Sequence, residues 1–294
     1  MSVLKRRLDS VYKHSDTLAF DDDSKFILMS DCHRGQGNNG DNFLPNQILY
    51  FGAMEHYYKH GFTYIELGDG DELWENRKIW PILETHSDCF WLMSKFYHEN
   101  RLYMLYGNHD VVKKRKKKKY SHFYCESREC VMPLFPGIDM PDGLILRYTK
   151  AENGEILLVH GHQGSVINDL MWPVARFLIR YFWRPLELVG CTAPVGAARP
   201  HTRKEKIERR LSAYANESGR LLIAGHTHRP IYSKPGQGSY FNDGSCVHPR
   251  SITGIEIENG CISLVKWSVA VGEDRRLYVE RSLLEGPCKL SEYF

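Results

Sequence analysis

The chain of 294 residues is 42% hydrophobic and 26% charged, an ordinary composition for a soluble globular protein. Its length fits one large domain or a core domain with an insertion. The formal net charge of +3 is too small to indicate a protein that binds nucleic acid. No apolar stretch approaches the roughly 20 residues that are needed to cross a bilayer.

The cysteines and the N-terminus bear on the cellular compartment. None of the eight cysteines has the Cys-x-x-Cys spacing of a zinc ribbon or a thioredoxin-like motif. The first nine residues, MSVLKRRLD, contain no apolar core long enough for a signal peptide. Because free thiols without a secretion signal favour a reducing compartment, we expect a cytoplasmic protein, either free or peripheral to the membrane.

Five short apolar runs predict buried strands at residues 25–30, 63–67, 102–106, 155–159 and 220–224. Helical patterns at 46–60 and 89–98 separate the first three of these strands. This alternation of strand and helix implies right-handed crossovers and a mostly parallel sheet. Further strands are predicted at 239–242, 251–257 and 261–269, with a hairpin turn at Asn259-Gly260. We expect these last strands to form a more antiparallel sheet that packs on the first.

Residues 163–218 interrupt the alternation of strands and helices. Helices are predicted at 166–184 and 203–216, and a segment rich in Gly, Ala and Pro at 190–200 separates them. We interpret 163–218 as a helical cap, or lid, inserted into a single domain that spans residues 1–294. The one low-complexity segment is the basic run from Lys113 to Lys119.

Five polar clusters each follow one of the predicted buried strands. They are Ser30-Asp31-Cys32-His33, Gly68-Asp69, Gly107-Asn108-His109-Asp110, His160-Gly161-His162 and Gly225-His226-Thr227-His228. The C-terminal ends of parallel strands are where open α/β sheets hold their ligands. Carboxylate, amide and imidazole groups in this mixture suit two divalent transition ions better than a structural zinc site or calcium.

The spacing within the clusters predicts how ligands converge. Asp31 and His33 are separated by one residue, so a loop that leaves a strand can direct both at one ion. His226 and His228 repeat this spacing near the other end of the chain. Asp69 stands after Gly68, and a lone carboxylate between two sites is the natural bridge because its two oxygens can bind different metals.

The remaining polar residues complete a hydrolytic site. Asn108 offers a neutral oxygen, His160 adds an imidazole, and Asp71 competes with Asp69 for the bridging role. Two metals about 3.5–4 Å apart can generate a hydroxide nucleophile and neutralise a phosphoryl oxyanion. His109 directly follows Asn108, and we expect it to donate a proton to the leaving group while Asp110 orients it.

In this order the clusters resemble the motifs of the calcineurin-like metallophosphoesterases, which are D-x-H, G-D, G-N-H-D, H-G-H or G-H, and G-H-x-H. The resemblance spans roughly residues 25–250. It implies an α/β fold, a four-layer αββα sandwich, and two divalent metals, with manganese expected first and iron or zinc as alternatives. It also implies two ligand sets: Asp31, His33, Asp69 and His228 for one metal, and Asp69, Asn108, His160 and His226 for the other.

Within that family the resemblance leans to the UDP-2,3-diacylglucosamine hydrolase-like branch. The features that point there are Gly68-Asp69 followed by Trp74, the segment Gly225-His226-Thr227-His228-Arg229-Pro230, and Asn242-Asp243-Gly244-Ser245. One residue departs from that branch. Its members carry Arg where this chain has His109, which is what the general phosphoesterases carry.

Several residues are candidate substrate contacts, but each also has a structural interpretation. The candidates are Arg34, His162, Trp172, Arg176 and Arg180. The first cap helix is either an amphipathic helix with a solvated arginine face, or a lid that grips phosphates and an apolar group or rests on a membrane interface. The run Lys113–Lys119 is either a solvated loop or a surface that attracts an anionic substrate or a membrane.

We therefore expect a dinuclear phosphoesterase that hydrolyses a phosphoester or pyrophosphate bond with a metal-bound hydroxide. A capped site suggests a small or amphipathic phosphate substrate, such as a nucleotide-sugar or nucleotide-lipid pyrophosphate. One alternative is a nuclease or cyclic-nucleotide phosphodiesterase, although the low net charge makes nucleic acid the less expected partner. Another alternative is a non-catalytic scaffold with the same fold.

Overall fold

The computed structural model describes residues 3–114, 122–125, 129–165, 169, 171–183, 185 and 201–294. Its helices are α1 (Val3–His14), α2 (Gln47–Lys59), α3 (Trp80–Thr85), α4 (Ser87–His98), α5 (Trp172–Leu178) and α6 (His201–Ser218), and a π-helical turn spans Ile179–Trp183. Short 3-10 turns lie at Leu44–Asn46, Val111–Lys114, His162–Gly164 and Leu290–Glu292. None of the described helices is both long and apolar enough to pass through a bilayer.

The described strands form two larger sheets and one two-stranded sheet. In chain order they are β1 (Asp16–Phe20), β2 (Phe26–Met29), β3 (Thr63–Glu66), β4 (Leu102–Met104), β5 (His122–Cys125), β6 (Cys130–Pro133), β7 (Gly143–Tyr148), β8 (Glu155–Val159), β9 (Leu221–Ala224), β10 (Tyr240–Asn242), β11 (Ser251–Glu258), β12 (Cys261–Val271) and β13 (Leu277–Lys289). The six-stranded sheet has the order β13-β12-β11-β2-β3-β4, the five-stranded sheet β1-β7-β8-β9-β10, and β5 pairs with β6.

Burial on both faces of the central strands produces the layers. In β2, Ile27 and Met29 join the apolar core with α2 and α4, whereas Phe26 and Leu28 face the core between the sheets. In β8 and β9 alternate residues face the inter-sheet core and the core beneath α1 and α6. Strands buried on both faces read as continuous apolar runs, which is why the sequence reveals them. The predicted four-layer αββα sandwich is confirmed.

The predicted division into a parallel and an antiparallel sheet is wrong. Strands β11 to β13 extend the same sheet that contains the parallel strands β2, β3 and β4, because β11 pairs antiparallel with β2. Strand β10 instead joins the five-stranded sheet, parallel to β9. Pairing such as Ile255 with Leu28 connects distant parts of the chain, and strand periodicity carries no information about the partner. The Asn259-Gly260 hairpin is confirmed, with Glu258 opposite Cys261.

The second predicted cap helix, at 203–216, is α6, and it packs on the five-stranded sheet instead of over the site. Leu211, Tyr214 and Ala215 of α6 are buried against β8 and β9, so α6 is an outer layer of the sandwich and not part of a lid. The first cap helix begins at Trp172 with a proline in its first turn and continues as the π-helical turn. The predicted separator at 190–200 and Arg115 to Lys119 of the basic run lie outside the described residues.

Candidate metal centre

The polar clusters after the strands come together at one edge of the two sheets. Among the described residues, three groups of side chains have ligand atoms within 4.8 Å of one another. They are Asp31 with His33 and His228, His33 with Asp69 and His109, and Asp69 with His160 and His226. The structure thus brings together residues that the sequence separates by up to 197 positions, from Asp31 to His228.

The backbone at these residues is in an uncommon conformation. Asp31, His33, Asp69, His226 and His228 all have positive φ, between 49° and 68°. Non-glycine residues rarely adopt this region, and such outliers concentrate at functional sites. The neighbouring Gly68 has φ 100°, and a Cβ there would lie 2.6 Å from the backbone nitrogen of Gly107. Only glycine permits this close approach of the two loops.

Asp31 directs one carboxylate oxygen at the first group. Its Oδ2 accepts hydrogen bonds from Ser30 Oγ at 2.6 Å and from the backbone N–H of His226 at 2.7 Å. Its Oδ1 lies 3.0 Å from Nε2 of His228 and 3.5 Å from Nε2 of His33. Burial opposes ionisation of Asp31, but the charges of His228 and His160 hold its pKa well below its usual range. This carboxylate is therefore charged and points one oxygen at two imidazoles.

Asp69 lies between the two groups. Its Oδ1 accepts the backbone N–H of His109 at 2.7 Å. Its Oδ2 lies 3.1 Å from Nε2 of His160 and 3.8 Å from Nε2 of His33. Asp71, the alternative bridge, instead forms ion pairs with Arg34 at 2.7 Å and Lys113 at 2.5 Å. Asp69, and not Asp71, is therefore the carboxylate with an oxygen that faces an imidazole of each group.

His160 and Asn108 present unsatisfied polar atoms to the same space. His160 Nδ1 donates to the carbonyl oxygen of Leu67 at 3.0 Å, which leaves Nε2 as the ligand atom. Burial disfavours a charged imidazole, but Asp69 and Asp31 outweigh it and raise the pKa of His160 to about 9. The Asn108 side chain is buried, and neither amide atom has a hydrogen-bond partner among the described residues.

These features fit divalent cations. Buried polar atoms are almost always hydrogen-bonded, so Asn108 Oδ1, which has no partner among the described residues, needs another one. Oxygen and imidazole donors of this kind suit manganese, iron or zinc. A cation would also replace the proton that the surrounding carboxylates favour on His160.

His109 lies beside the candidate metal ligands, and its orientation differs from the prediction. Its Nδ1 is 2.6 Å from Oε2 of Glu72, and its ring stacks on Trp74 at 4.2 Å between centroids and 17° between planes. Asp110 instead accepts from the backbone N–H of Gly107 at 2.7 Å and from Lys113 Nζ at 3.0 Å. The prediction that Asp110 orients His109 is therefore wrong, since its oxygens face the backbone and a lysine.

Glu72 is the site residue that sequence reasoning missed. The same Oε2 that faces His109 lies 3.0 Å from Nδ1 of His33. Burial opposes its ionisation, but the charge of His109 outweighs burial and lowers the pKa of Glu72 to about 2. The only signal in the sequence was an acidic segment, Asp71-Glu72, directly after Asp69.

Residues 24–230 match the family of calcineurin-like phosphoesterases. The chain belongs to this family. All five polar clusters of this calcineurin-like phosphoesterase lie within the matched residues. A comparison with curated proteins finds no match.

Solved structures that match this chain include two Vps29 proteins. A single mutant of Vps29 from Entamoeba histolytica is 13% identical with a TM-score of 0.34, covering 89% of this chain and 99% of that one. Vps29 from Chaetomium thermophilum is 12% identical with a TM-score of 0.37, covering 88% of this chain and 97% of that one. Values this low say nothing about the chemistry of this calcineurin-like phosphoesterase.

Two of the basic residues expected to meet an anionic substrate or surface are buried in ion pairs. Arg34 has no exposed surface, and its guanidinium bonds Glu66 at 2.8 and 2.9 Å and Asp71 at 2.7 Å. The prediction that Arg34 contacts the substrate is wrong, because a guanidinium enclosed by two carboxylates has no access to a ligand. Lys113, the first residue of the basic run, is also buried in ion pairs and presents no charge to an anionic surface.

The other candidates lie nearer the surface or beside the ligands. His162 is buried, with Nε2 3.7 Å from Asp169 Oδ1, and burial together with the charge of His160 lowers the pKa of His162 to about 3. The Arg176 guanidinium lies 4.7 Å from the centroid of the Trp172 ring. Arg180 turns toward the protein, where it donates to backbone carbonyl oxygens of the loop that contains Trp74.

Proposed function

We propose that this chain is a dinuclear metal-dependent hydrolase of phosphate esters or pyrophosphates. The observation that carries the proposal is the position of Asp69 Oδ2, which faces His33 in one ligand group and His160 in the other. The sets proposed for the two ions are Asp31, His33, Asp69 and His228, and Asp69, Asn108, His160 and His226. Divalent ions bound there, manganese in the first instance, would polarise the phosphoryl group and lower the pKa of water.

In the proposed reaction His109 supplies a proton to the leaving oxygen. Glu72 Oε2 lies 2.6 Å from Nδ1 of this imidazole, so Nε2 is the ring nitrogen that remains for donation. Trp74 covers one face of the ring and restricts its rotation. When this proton is transferred, an ester loses its leaving group as the neutral alcohol and a pyrophosphate loses it as a singly protonated phosphate anion. The imidazole then regains a proton from solvent.

The proposed substrate is an amphipathic phosphate compound, of which a nucleotide-lipid pyrophosphate of the UDP-2,3-diacylglucosamine type is one example. Support comes from large apolar side chains of the cap that are about half exposed, namely Met171, Val174, Phe177, Leu178, Tyr181 and Phe182. Arg176 lies on the same short helix and adds a positive charge next to this apolar surface. An acyl chain or a membrane surface would cover such a patch, since large exposed apolar patches mark interaction sites.

The test is hydrolysis of bis(p-nitrophenyl) phosphate, p-nitrophenyl phosphate and a UDP-sugar pyrophosphate with added manganese. Wild type is compared with Asp69→Asn and with Asp274→Asn, an exposed aspartate in the turn before β13. We expect manganese-dependent turnover that Asp69→Asn abolishes and Asp274→Asn leaves unchanged. A wild type that binds manganese but hydrolyses none of the three would contradict the proposal and favour the scaffold alternative.

A further inference from the structure

The cap that remains, helix α5 and its π-helical turn, is hydrogen-bonded to the loop that follows Asp69. From the π-helical turn, Arg180 Nε donates to the carbonyl oxygen of Trp74 at 2.8 Å. Its Nη2 donates to the carbonyl oxygens of Leu73 at 2.7 Å and Asn76 at 3.3 Å. A guanidinium presents its donors in a rigid fork, so one side chain holds three carbonyls of one turn.

A second contact joins the same two segments. The Arg77 side chain donates to the hydroxyl of Tyr181, and its guanidinium carbon lies 5.3 Å from the centroid of the Tyr181 ring. Two consecutive cap residues, Arg180 and Tyr181, therefore contact the segment from Leu73 to Arg77. The cap holds this loop by directed hydrogen bonds to its backbone and one to a side chain.

The loop in turn holds the proposed general acid. Trp74 is almost fully buried, stacks on His109, and donates its indole N–H to the carbonyl oxygen of Asn108 at 2.5 Å. The backbone N–H of Trp74 also donates to Oε1 of Glu72, whose other oxygen faces His109. Any movement of the Trp74 backbone would thus change both groups that orient the imidazole.

We infer that Arg180 is a positioning residue through which the cap orients His109 for protonation of the leaving group. The inference rests on the proposed hydrolytic function. It replaces the expectation that Arg180 grips a substrate phosphate, because the geometry turns its Nε and Nη2 toward the protein backbone. The chain of contact runs from Arg180 to the Trp74 backbone, then from Trp74 and Glu72 to the imidazole.

This role predicts a dependence on the leaving group. A p-nitrophenolate departs without a proton, whereas an alkoxide needs one, so misplacing the acid slows only the second reaction. We expect Arg180→Ala to lower kcat for an alkyl phosphate about 10-fold or more, within the 100- to 10,000-fold that a positioned acid supplies. The kcat for p-nitrophenyl phosphate should change by less than about threefold, and KM should change little for either ester.

The controls separate positioning from substrate binding and from misfolding. Arg209→Ala removes an exposed arginine of α6 whose partner is Glu205, and it should leave both reactions unchanged. Arg180→Lys keeps the positive charge but loses the forked donors of the guanidinium. Like Arg180→Ala, it should therefore lower kcat for the alkyl phosphate and leave kcat for p-nitrophenyl phosphate nearly unchanged. A rise of KM for both esters with kcat unchanged, or an equal loss of kcat for both, would overturn the inference.

Hydrogen exchange tests the contact without any turnover. Amide exchange in residues 73–77 should become faster in Arg180→Ala and stay as in wild type in Arg209→Ala. Unchanged exchange in Arg180→Ala would refute the inference whatever the kinetics. A wild type that hydrolyses neither ester, together with faster exchange in Arg180→Ala, would contradict the proposed function while leaving the contact between cap and loop established.

Discussion

At the scale of single residues, one carboxylate connects a candidate metal ligand with the candidate acid. Glu72 Oε2 lies 3.0 Å from His33 Nδ1 and 2.6 Å from His109 Nδ1. Such partners fix which ring nitrogen carries the proton and how the ring is oriented. The proposed metal binding and the proposed protonation of the leaving group would therefore depend on the same side chain.

Glu72→Gln should impair both properties because the amide keeps the shape but loses the charge. We expect a loss of about 10- to 100-fold in manganese affinity or in kcat for an alkyl phosphate. Calorimetric titration with manganese and steady-state kinetics measure the two effects. Glu273→Gln, in the exposed turn before β13, is the matched control, and equal behaviour of the two variants would disprove the role of Glu72.

A second pair of residues predicts how stability depends on pH. His86 Nε2 lies 2.9 Å from Asp41 Oδ2, both are buried, and Asp41 also accepts the N–H of Gly37 at 2.8 Å. Burial raises the pKa of Asp41, but the hydrogen bond with His86 outweighs it, so the folded-state pKa lies below the usual value. The carboxylate thus adds stability above its unfolded-state pKa, and this is lost as the pH falls through the folded-state pKa.

Urea unfolding at a series of pH values checks this sign. Between about pH 5 and pH 3 the free energy of unfolding of wild type should fall more steeply than that of Asp41→Asn. Above about pH 5 the Asp41 carboxylate is ionised in both the folded and the unfolded state, so its own ionisation adds no further slope. Parallel curves throughout would show that Asp41 contributes nothing to the pH dependence.

At the scale of secondary structure, the two cap helices of the sequence prediction have separate roles. Leu211 of α6 is completely buried beside β8 and β9, whereas Phe177 of α5 is 54% exposed. Helix α6 therefore stabilises the sandwich, and α5 with its π-helical turn presents apolar surface next to the site. The prediction that both helices belong to one cap over residues 163–218 does not fit this arrangement.

Leu211→Ala and Phe177→Ala should differ sharply in stability. Removing the buried leucine leaves a cavity and should cost about 2–5 kcal/mol in the free energy of unfolding. Replacing the exposed phenylalanine should lower the free energy of unfolding by about 0.5 kcal/mol or less, because little packing is lost. Chemical denaturation of both variants provides the comparison, and similar losses would refute the assignment of α6 to the core.

At the scale of the whole molecule, the candidate metal centre joins the two sheets. Asp31 and Asp69 follow strands of the six-stranded sheet, while His160 and His226 follow strands of the five-stranded sheet. Ions bound between them would link the sheets and offset the repulsion between the two carboxylates. Metal removal should therefore affect stability as well as activity.

Chelation should abolish turnover and lower the free energy of unfolding. Manganese at about 100 times its dissociation constant should stabilise the folded protein by about 2.7 kcal/mol. Denaturation with EDTA and with manganese measures this difference, and Asp69→Asn should reduce it. Identical unfolding curves for wild type under the two conditions would contradict metal binding at this site.

Much of the site could be predicted from the sequence because its residues occur as local motifs. Asp31, His33, Asn108, His226 and their neighbours stand in loops that follow strands made largely of buried residues. A continuous apolar run reveals such a strand, and its C-terminal end is where an α/β sheet holds ligands. The cytoplasmic location, the identity of the metal and the substrate stay predictions.

What the sequence alone determined is therefore the central strands, the ligand types and the resemblance to the family. Only the tertiary structure decided that β11 pairs with β2, that Glu72 and not Asp110 faces His109, and that Arg34 and Lys113 are buried in ion pairs. The physical reason is that periodicity and motif spacing report on neighbours along the chain. Sheet partners and buried ion pairs depend on which distant segments pack together.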